Sequence, residues 1–97
     1  MLIRIVRMYF TETGAPQFLP IFETHKNQIR NFKGCSHLEL LKDKNNRLCY
    51  TTLSYWNSEE DLEAYRNSPL FKNVWRSVKP LFGDKSQAFS LEKFIEV

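Results

Sequence analysis

The first ten residues constrain the fold most strongly, because both faces of the strand they predict are apolar. Met1–Phe10 is rich in β-branched and aromatic residues, which favours a β-strand. One set of alternate positions holds Ile3, Ile5, Arg7 and Tyr9, and the other holds Leu2, Arg4, Val6, Met8 and Phe10. An antiparallel sheet with one solvated face would carry polar residues on one set. We therefore expect both faces of this strand to be covered.

A helix and two strands are predicted to follow. Apolar residues recur at spacings of three and four along one stripe, which predicts a helix that faces the core. The stripe consists of Phe18, Phe22, His25, Ile29 and Phe32. Pro16 and Pro20 are expected near its start, and Gly34 is expected to end it. Cys35–Leu41 and Arg47–Trp56 are predicted strands.

The second half of the chain predicts two helices and a strand. Asn57-Ser58 precedes a run of acidic residues, which is typical of a capped helix start, and this helix is expected to reach about Arg66. Ser68-Pro69 indicates a second helix start, and Pro80 its end. The last strand is expected over Gln87–Val97.

The element order predicts an α+β fold of the ferredoxin-like type, β-α-β-β-α-β, in one domain over residues 1–97. Helices would cover one face of a four-stranded antiparallel sheet. The apolar character of the first strand leaves the other face in need of cover. We therefore predict a homodimer in which two sheets pack face to face.

Charge and composition argue against nucleic-acid and membrane partners. The net charge is +3, but Lys and Arg are scattered from Arg4 to Lys93, whereas a nucleic-acid binder concentrates them. No stretch is long and apolar enough to span a membrane, and Arg4 and Arg7 interrupt the apolar N-terminus. Cys35 and Cys49 are expected to be reduced thiols that lie too far apart to bridge. These features predict a cytoplasmic location.

The segment from Thr51 to Phe71 resembles the antibiotic biosynthesis monooxygenase family. It contains a strand that ends in Trp56, a capped acidic helix start, and the sequence Ser68-Pro69-Leu70-Phe71. A weaker likeness lies in Phe32-Lys33-Gly34-Cys35. The resemblance implies a dimeric α+β barrel and a monooxygenase that needs no metal or flavin, with electron-rich phenols as substrates.

The same family contains a haem-degrading branch, whose functional residues this chain does not match. By position, the branch's Asn, Trp and iron-ligating His fall on Arg7, Tyr65 and Trp75. None of the three agrees, and an indole cannot ligate iron. The resemblance therefore implies no haem cofactor.

His25 is the candidate general base, because it is the one polar residue in the apolar stripe of the first helix. Deprotonation of a phenol or enol gives an anion that is electron-rich enough to reduce oxygen, and histidine titrates near neutral pH. The alternative is a structural histidine that is hydrogen-bonded to a backbone carbonyl or a tyrosine.

The remaining candidates would bind the substrate. Matched to the family's first-strand position, Arg7 would face the pocket and hold a substrate anion; otherwise its head lies in water over apolar surface. Tyr9, Phe22, Tyr65 and Trp75 would form aromatic walls, although aromatic residues at helical spacing also suit a plain core. His37 and Glu39 share one strand face but are too few for a zinc site, so no metal is expected.

Two functions are consistent with these residues. The first is a cofactor-independent monooxygenase that acts on a small aromatic or enolisable molecule in a pocket between helices and sheet. The second is a non-catalytic module of the same dimeric fold that binds a small ligand or a partner.

Overall fold

A four-stranded antiparallel sheet organises the structure, which is a computed structural model that describes residues 1–97. The elements in chain order are β1 (Leu2–Tyr9), α1 (Gly14–Arg30), β2 (Cys35–Lys42), β3 (Cys49–Trp56), α2 (Glu59–Arg66), α3 (Pro69–Val78) and β4 (Gln87–Glu92). The strand order is β2-β3-β1-β4, and every neighbouring pair is antiparallel. This topology confirms the predicted ferredoxin-like α+β fold.

Strand register divides the side chains into two faces. Met8 packs against Phe18 of α1 and Val78 of α3, so its side of the sheet is covered by helices. We call this side the helix face; it includes Leu2, Arg4, Val6 and Met8 of β1 with Tyr50, Thr52, Ser54 and Trp56 of β3. The other side, the open face, includes Ile3, Ile5, Arg7 and Tyr9, with Thr51, Leu53 and Tyr55 of β3 and Gln87, Phe89 and Leu91 of β4.

Helix α1 differs from its prediction at both ends. It begins at Gly14, so Pro16 lies in the first turn, but Pro20 lies inside the helix, where it has no N–H to donate. The last helical residue is Arg30, four positions before Gly34. Gly34 instead turns the chain into β2 with a φ of +89°, and a Cβ there would collide with the side chain of Asp61.

The two helix starts after β3 are as predicted. The Ser58 hydroxyl accepts a hydrogen bond from the Asp61 N–H at 3.1 Å, and the first turn of α2 holds three acidic residues. The Ser68 hydroxyl accepts from the Phe71 N–H at 3.1 Å, and Pro69 is the first residue of α3. These caps fix the residues at which α2 and α3 begin.

Two buried clusters hold the helices to the sheet. The larger joins β1, α1 and α3 through Met8, Phe10, Ala15, Phe18 and Val78. The smaller joins β2, β3 and α2 through Cys35, Trp56 and Leu62. Trp56 is fully buried, and its indole N–H donates to the Ser54 hydroxyl at 2.9 Å. The space between the two clusters is where the candidate site lies.

The C-terminal strand is shorter than predicted. β4 ends at Glu92, and residues 93–97 follow without strand pairing, with Phe94, Ile95 and Val97 strongly exposed. The third strand likewise starts at Cys49 rather than Arg47. No helix has the length and apolar character that a membrane crossing requires.

Candidate functional site

A cavity of about 300 Å³ lies between the helix face of the sheet and the three helices. Its lining is mostly apolar and draws on every strand and helix. The residues that line it are Arg4, Val6 and Met8; Phe18, Phe22 and Ile29; Leu38; Thr52, Ser54 and Trp56; Leu62, Tyr65 and Arg66; Phe71, Val74, Trp75 and Val78; and Ser86 and Ala88. An apolar cavity with a few polar groups is typical of a small-molecule site.

Aromatic rings form a continuous row along one wall of the cavity. Trp56 and Tyr65 stack with their centroids 5.0 Å apart and their planes 25° from parallel. Tyr65 meets Phe71 edge-on at 5.2 Å, and Phe71 stacks on Trp75 at 5.9 Å. The rings come from the end of β3 and from α2 and α3, the two capped helices that follow it. A wall of this kind suits a flat ring.

Tyr65 stands at the centre of this row with its hydroxyl protonated. Burial, with a smaller contribution from the nearby Cys35 thiol, raises the pKa of Tyr65 well above its ordinary value. A tyrosine in this state donates a hydrogen bond at neutral pH and does not act as a base.

The polar end of the cavity holds two guanidinium groups. Arg4 comes from the helix face of β1 and Arg66 from the last turn of α2. The Arg4 Nη1 donates to the Ser90 hydroxyl at 3.0 Å, and no carboxylate lies within 4 Å of the Arg4 guanidinium. The Arg66 Nη1 pairs with the Glu63 carboxylate at 2.8 Å. Arg4 is thus a half-buried charge without an acidic partner.

The electrostatics at this end disfavour the positive charge of Arg4. Burial is the main cause that lowers the pKa of Arg4, and repulsion from Arg66 lowers it further. Attraction to Glu63 opposes both effects only in part. Arginine nevertheless stays protonated in proteins, so an uncompensated positive potential faces the cavity.

Three of the six predicted site residues line the cavity. Phe22, Tyr65 and Trp75 are in its wall. Arg7 and Tyr9 are not, because they occupy the alternate positions of β1 and therefore point to the open face. There Arg7 pairs with Asp43 at 3.2 Å, and its guanidinium carbon lies 5.6 Å from the centre of the Tyr9 ring. The expectation that Arg7 faces the helices is corrected by the strand register.

His25 also lies outside the cavity wall. It is half-buried on α1, and its Nδ1 lies 2.8 Å from the Ile21 carbonyl oxygen of the preceding turn. This is the arrangement of the structural alternative, in which the ring satisfies a backbone carbonyl. The structure therefore does not bring His25 to the residues that enclose the cavity.

The sequence analysis missed Arg66 as a site candidate, and it also missed Arg4. Its signal was present, since it is the one charge among the four apolar residues Leu2, Val6, Met8 and Phe10. That set of positions is the more apolar of the two, which favours its placement on the face that the helices cover.

A second polar pair lies on the open face. The His37 Nε2 is 3.5 Å from the Glu39 carboxylate, and the His37 ring packs on Tyr55 at 4.8 Å. No third His, Cys, Asp or Glu joins them in a cluster that could hold a metal ion.

Comparison with known proteins supports the same fold. A structure described as an antibiotic biosynthesis monooxygenase superposes with a TM-score of 0.91 at 13% identity, and the match covers 98% of this chain and 100% of that one. A protein from Mycobacterium tuberculosis gives 0.89 at 17% identity, covering 98% and 96%. A conserved protein from Methanosarcina mazei gives 0.89 at 17% identity, covering 97% and 94%.

The sequence itself identifies the family. No curated protein matches the chain significantly. The family model described as antibiotic biosynthesis monooxygenase matches residues 1–76, which include β1, the aromatic row and both guanidinium groups of the cavity. The chain therefore belongs to the antibiotic biosynthesis monooxygenase family.

Proposed function

We propose that the protein is a monooxygenase that oxidises a small aromatic or enolisable molecule in the cavity between helices and sheet, without a metal or flavin. Family membership and the monooxygenase described above support the reaction class. The aromatic row formed by Trp56, Tyr65, Phe71 and Trp75 is the observation that carries the substrate class. Phe22 completes the wall from the α1 side.

The size of the cavity limits the substrate. An engineered apolar protein cavity of about 150 Å³ accommodates benzene. The cavity here is about 300 Å³ and lies at the small end of the range for ligand pockets. It suits one aromatic ring or two fused rings rather than an extended polycyclic molecule.

The proposed reaction draws its electrons from the substrate. A phenol that releases its proton to solvent becomes an anion that can reduce O2, and a bond forms between O2 and the ring carbon opposite the phenolic oxygen. The resulting peroxide takes a proton back from solvent. Loss of the C–H hydrogen at that carbon with cleavage of the O–O bond then leaves a quinone, and the second oxygen atom departs as water. One O2 is consumed for each phenol, and no external reductant is needed. The aromatic walls would hold the ring and keep bulk water from the intermediates.

The proposal includes a homodimer that forms through the open face, in the cytoplasm. Leu41, Phe89 and Leu91 lie on this face with 42%, 48% and 48% of their surface exposed. Ile3, Ile5 and Leu53 continue the apolar surface between them. Neighbouring apolar side chains on an exposed sheet face are typical of a protein interaction surface.

Oxygen consumption tests the function directly. Naphthols and dihydroxynaphthalenes are incubated with the protein in an oxygen electrode, and quinone formation is followed by absorbance. We expect one O2 per quinone, and a Val74→Phe variant, which fills the cavity from α3, should lose at least nine-tenths of the rate. Asn73→Phe adds the same ring to the neighbouring exposed position and serves as the control.

Two results would contradict the proposal. Equal rates for the Val74→Phe and Asn73→Phe variants would show that the oxidation does not take place in the cavity. Binding of these phenols without oxygen consumption would instead favour the non-catalytic ligand-binding module.

A further inference from the structure

The cavity has an unexplained feature, which is the paired positive charge at its polar end. Arg4 and Arg66 line the same cavity. Burial is the main cause that lowers the pKa of Arg4, and repulsion from Arg66 adds to it. A half-buried charge without a partner is costly, so such an arrangement is expected where a ligand supplies the missing charge.

The donors of both guanidinium groups are only partly used within the chain. Arginine carries five N–H donors in a planar fork. Arg4 gives one hydrogen bond, to the Ser90 hydroxyl, and Arg66 gives one, to Glu63. The Arg66 side chain is 45% exposed, so it lies between the cavity and solvent. Most of the donors remain available to a ligand that enters from this side.

We propose that Arg4 and Arg66 bind the carboxylate of a planar aromatic substrate whose one or two rings lie along the row of Trp56, Tyr65, Phe71 and Trp75. This inference deepens the proposed function, since it takes the cavity as the substrate site and adds an acidic group to the substrate. The substrate class is then a hydroxyaryl carboxylate. The ionised hydroxyl group activates the ring for oxidation, and the carboxylate orients the ring.

The charge and the free N–H donors of the two arginines favour a carboxylate over a neutral polar group. A carboxylate offers two oxygens that match the fork of a guanidinium, and such bidentate pairs are among the strongest hydrogen-bonded contacts in proteins. A bound anion would also relieve the repulsion between Arg4 and Arg66. A neutral ligand would leave that repulsion in place and would bury both charges further.

Binding of ligands that cannot be oxidised tests the inference apart from the reaction. We use 2-naphthoate and 2-naphthamide, which have the same rings but differ in charge, and measure affinity by isothermal titration calorimetry. The protein should bind the carboxylate at least ten-fold more tightly than the amide. Raising the salt concentration should weaken binding of the carboxylate more than that of the amide.

Matched arginine variants then locate the anion. Arg4→Gln should weaken 2-naphthoate binding at least ten-fold and leave 2-naphthamide binding unchanged, which also shows that the cavity is intact. Arg66→Gln should have a smaller effect in the same direction, because Arg66 is more exposed and already paired. The affinity of Arg4→Lys for 2-naphthoate should lie between those of the wild type and Arg4→Gln, since lysine keeps the charge but lacks the planar fork of donors. Arg7→Gln changes the same residue type on the opposite face of β1 and should have no effect.

Several outcomes would overturn the inference. These are equal affinity for acid and amide, no binding of either ligand, or an Arg7 variant that is as impaired as the Arg4 variant. Failure of the proposed function gives a different result, in which 2-naphthoate binds through Arg4 but no phenol consumes oxygen. Conversely, oxygen consumption with neutral phenols alone would retain the function and reject the carboxylate.

Discussion

The two faces of the sheet give an arginine opposite electrostatic surroundings. Arg4 and Arg7 are three positions apart on β1, and register sends one to the helix face and the other to the open face. The surroundings of Arg7, which include Cys49, Tyr9 and Asp43, raise its pKa, whereas burial and Arg66 lower the pKa of Arg4. Arg7 is a satisfied surface charge, and Arg4 is a charge in need of a partner.

Under the proposed function, this difference separates a structural charge, Arg7, from a ligand-binding charge, Arg4. On the open face, Arg7 pairs with Asp43 and contacts solvent, so its charge costs the folded state little free energy. The helix face offers Arg4 a hydroxyl, a second arginine and an apolar cavity. A half-buried charge without an acidic partner is typical of a ligand-binding site. The burial and the partners of a residue are therefore better guides to the site than its residue type.

The largest effect is expected from a charge placed on the open face. Phe89→Glu should convert a dimer into a monomer of 11.6 kDa, because the carboxylate would lie unpaired between two apolar sheets. Light scattering on a sizing column measures the mass. Leu19→Glu alters an exposed leucine of α1 and should leave the dimer intact. A wild-type protein with the mass of a monomer would contradict the proposed dimer through the open face.

Neighbouring residues of β3 should differ in their contribution to stability. Trp56→Ala should lower the free energy of unfolding by about 3–5 kcal/mol, since Trp56 is fully buried beneath α2. Tyr55→Ala, on the open face, should cost about 1 kcal/mol when both changes are made in the Phe89→Glu monomer. Urea denaturation measures both values. Equal losses would mean that the helix face does not dominate the core.

The two arginines should respond oppositely when their charge is removed. Arg4→Met should raise the free energy of unfolding, because the folded state disfavours that charge, and Arg7→Met should lower it. Thermal denaturation at neutral pH and low salt compares the two variants with the wild type. A loss of stability in the Arg4 variant would show that its charge already has an adequate partner.

Tyr65 should make stability depend on alkaline pH. The ordinary pKa of tyrosine is 10.0, and burial raises it in the folded state. Protonated Tyr65 therefore contributes its full stability below pH 10, and this contribution is lost as the pH rises further. Between pH 10 and 11 the wild type should lose about 1 kcal/mol more than Tyr65→Phe. Urea titrations at fixed pH values test this difference, and parallel curves would contradict it.

His25→Ala should have the smallest effect on oxygen consumption. Its ring satisfies the Ile21 carbonyl and does not line the cavity, so the rate should stay within about two-fold of the wild type. A large loss of rate in a variant that folds normally would contradict this expectation and support His25 as the general base.

Much of the fold could be predicted from local chemistry. Ser58 and Ser68-Pro69 predicted both helix starts, and the position of Trp56 at the end of β3 was predicted by its family pattern. The ends of α1 and β4 were wrong by several residues. Glycine can terminate a helix directly or sit in the turn that follows it, as Gly34 does, and the sequence pattern does not distinguish the two.

The sequence by itself determined the element order, the capped helix starts and three aromatic residues of the cavity wall, Phe22, Tyr65 and Trp75, because caps and periodicity act over a few neighbouring residues. Only the tertiary structure decided which face of β1 the helices cover. Both sets of alternate positions are mostly apolar and each contains one arginine, so the slightly more apolar set that holds Arg4 was favoured for the helix face but not assigned to it by local pattern alone. Packing of α1 and α3 on Met8 settled it, since alternate residues of a strand point to the same face of the sheet.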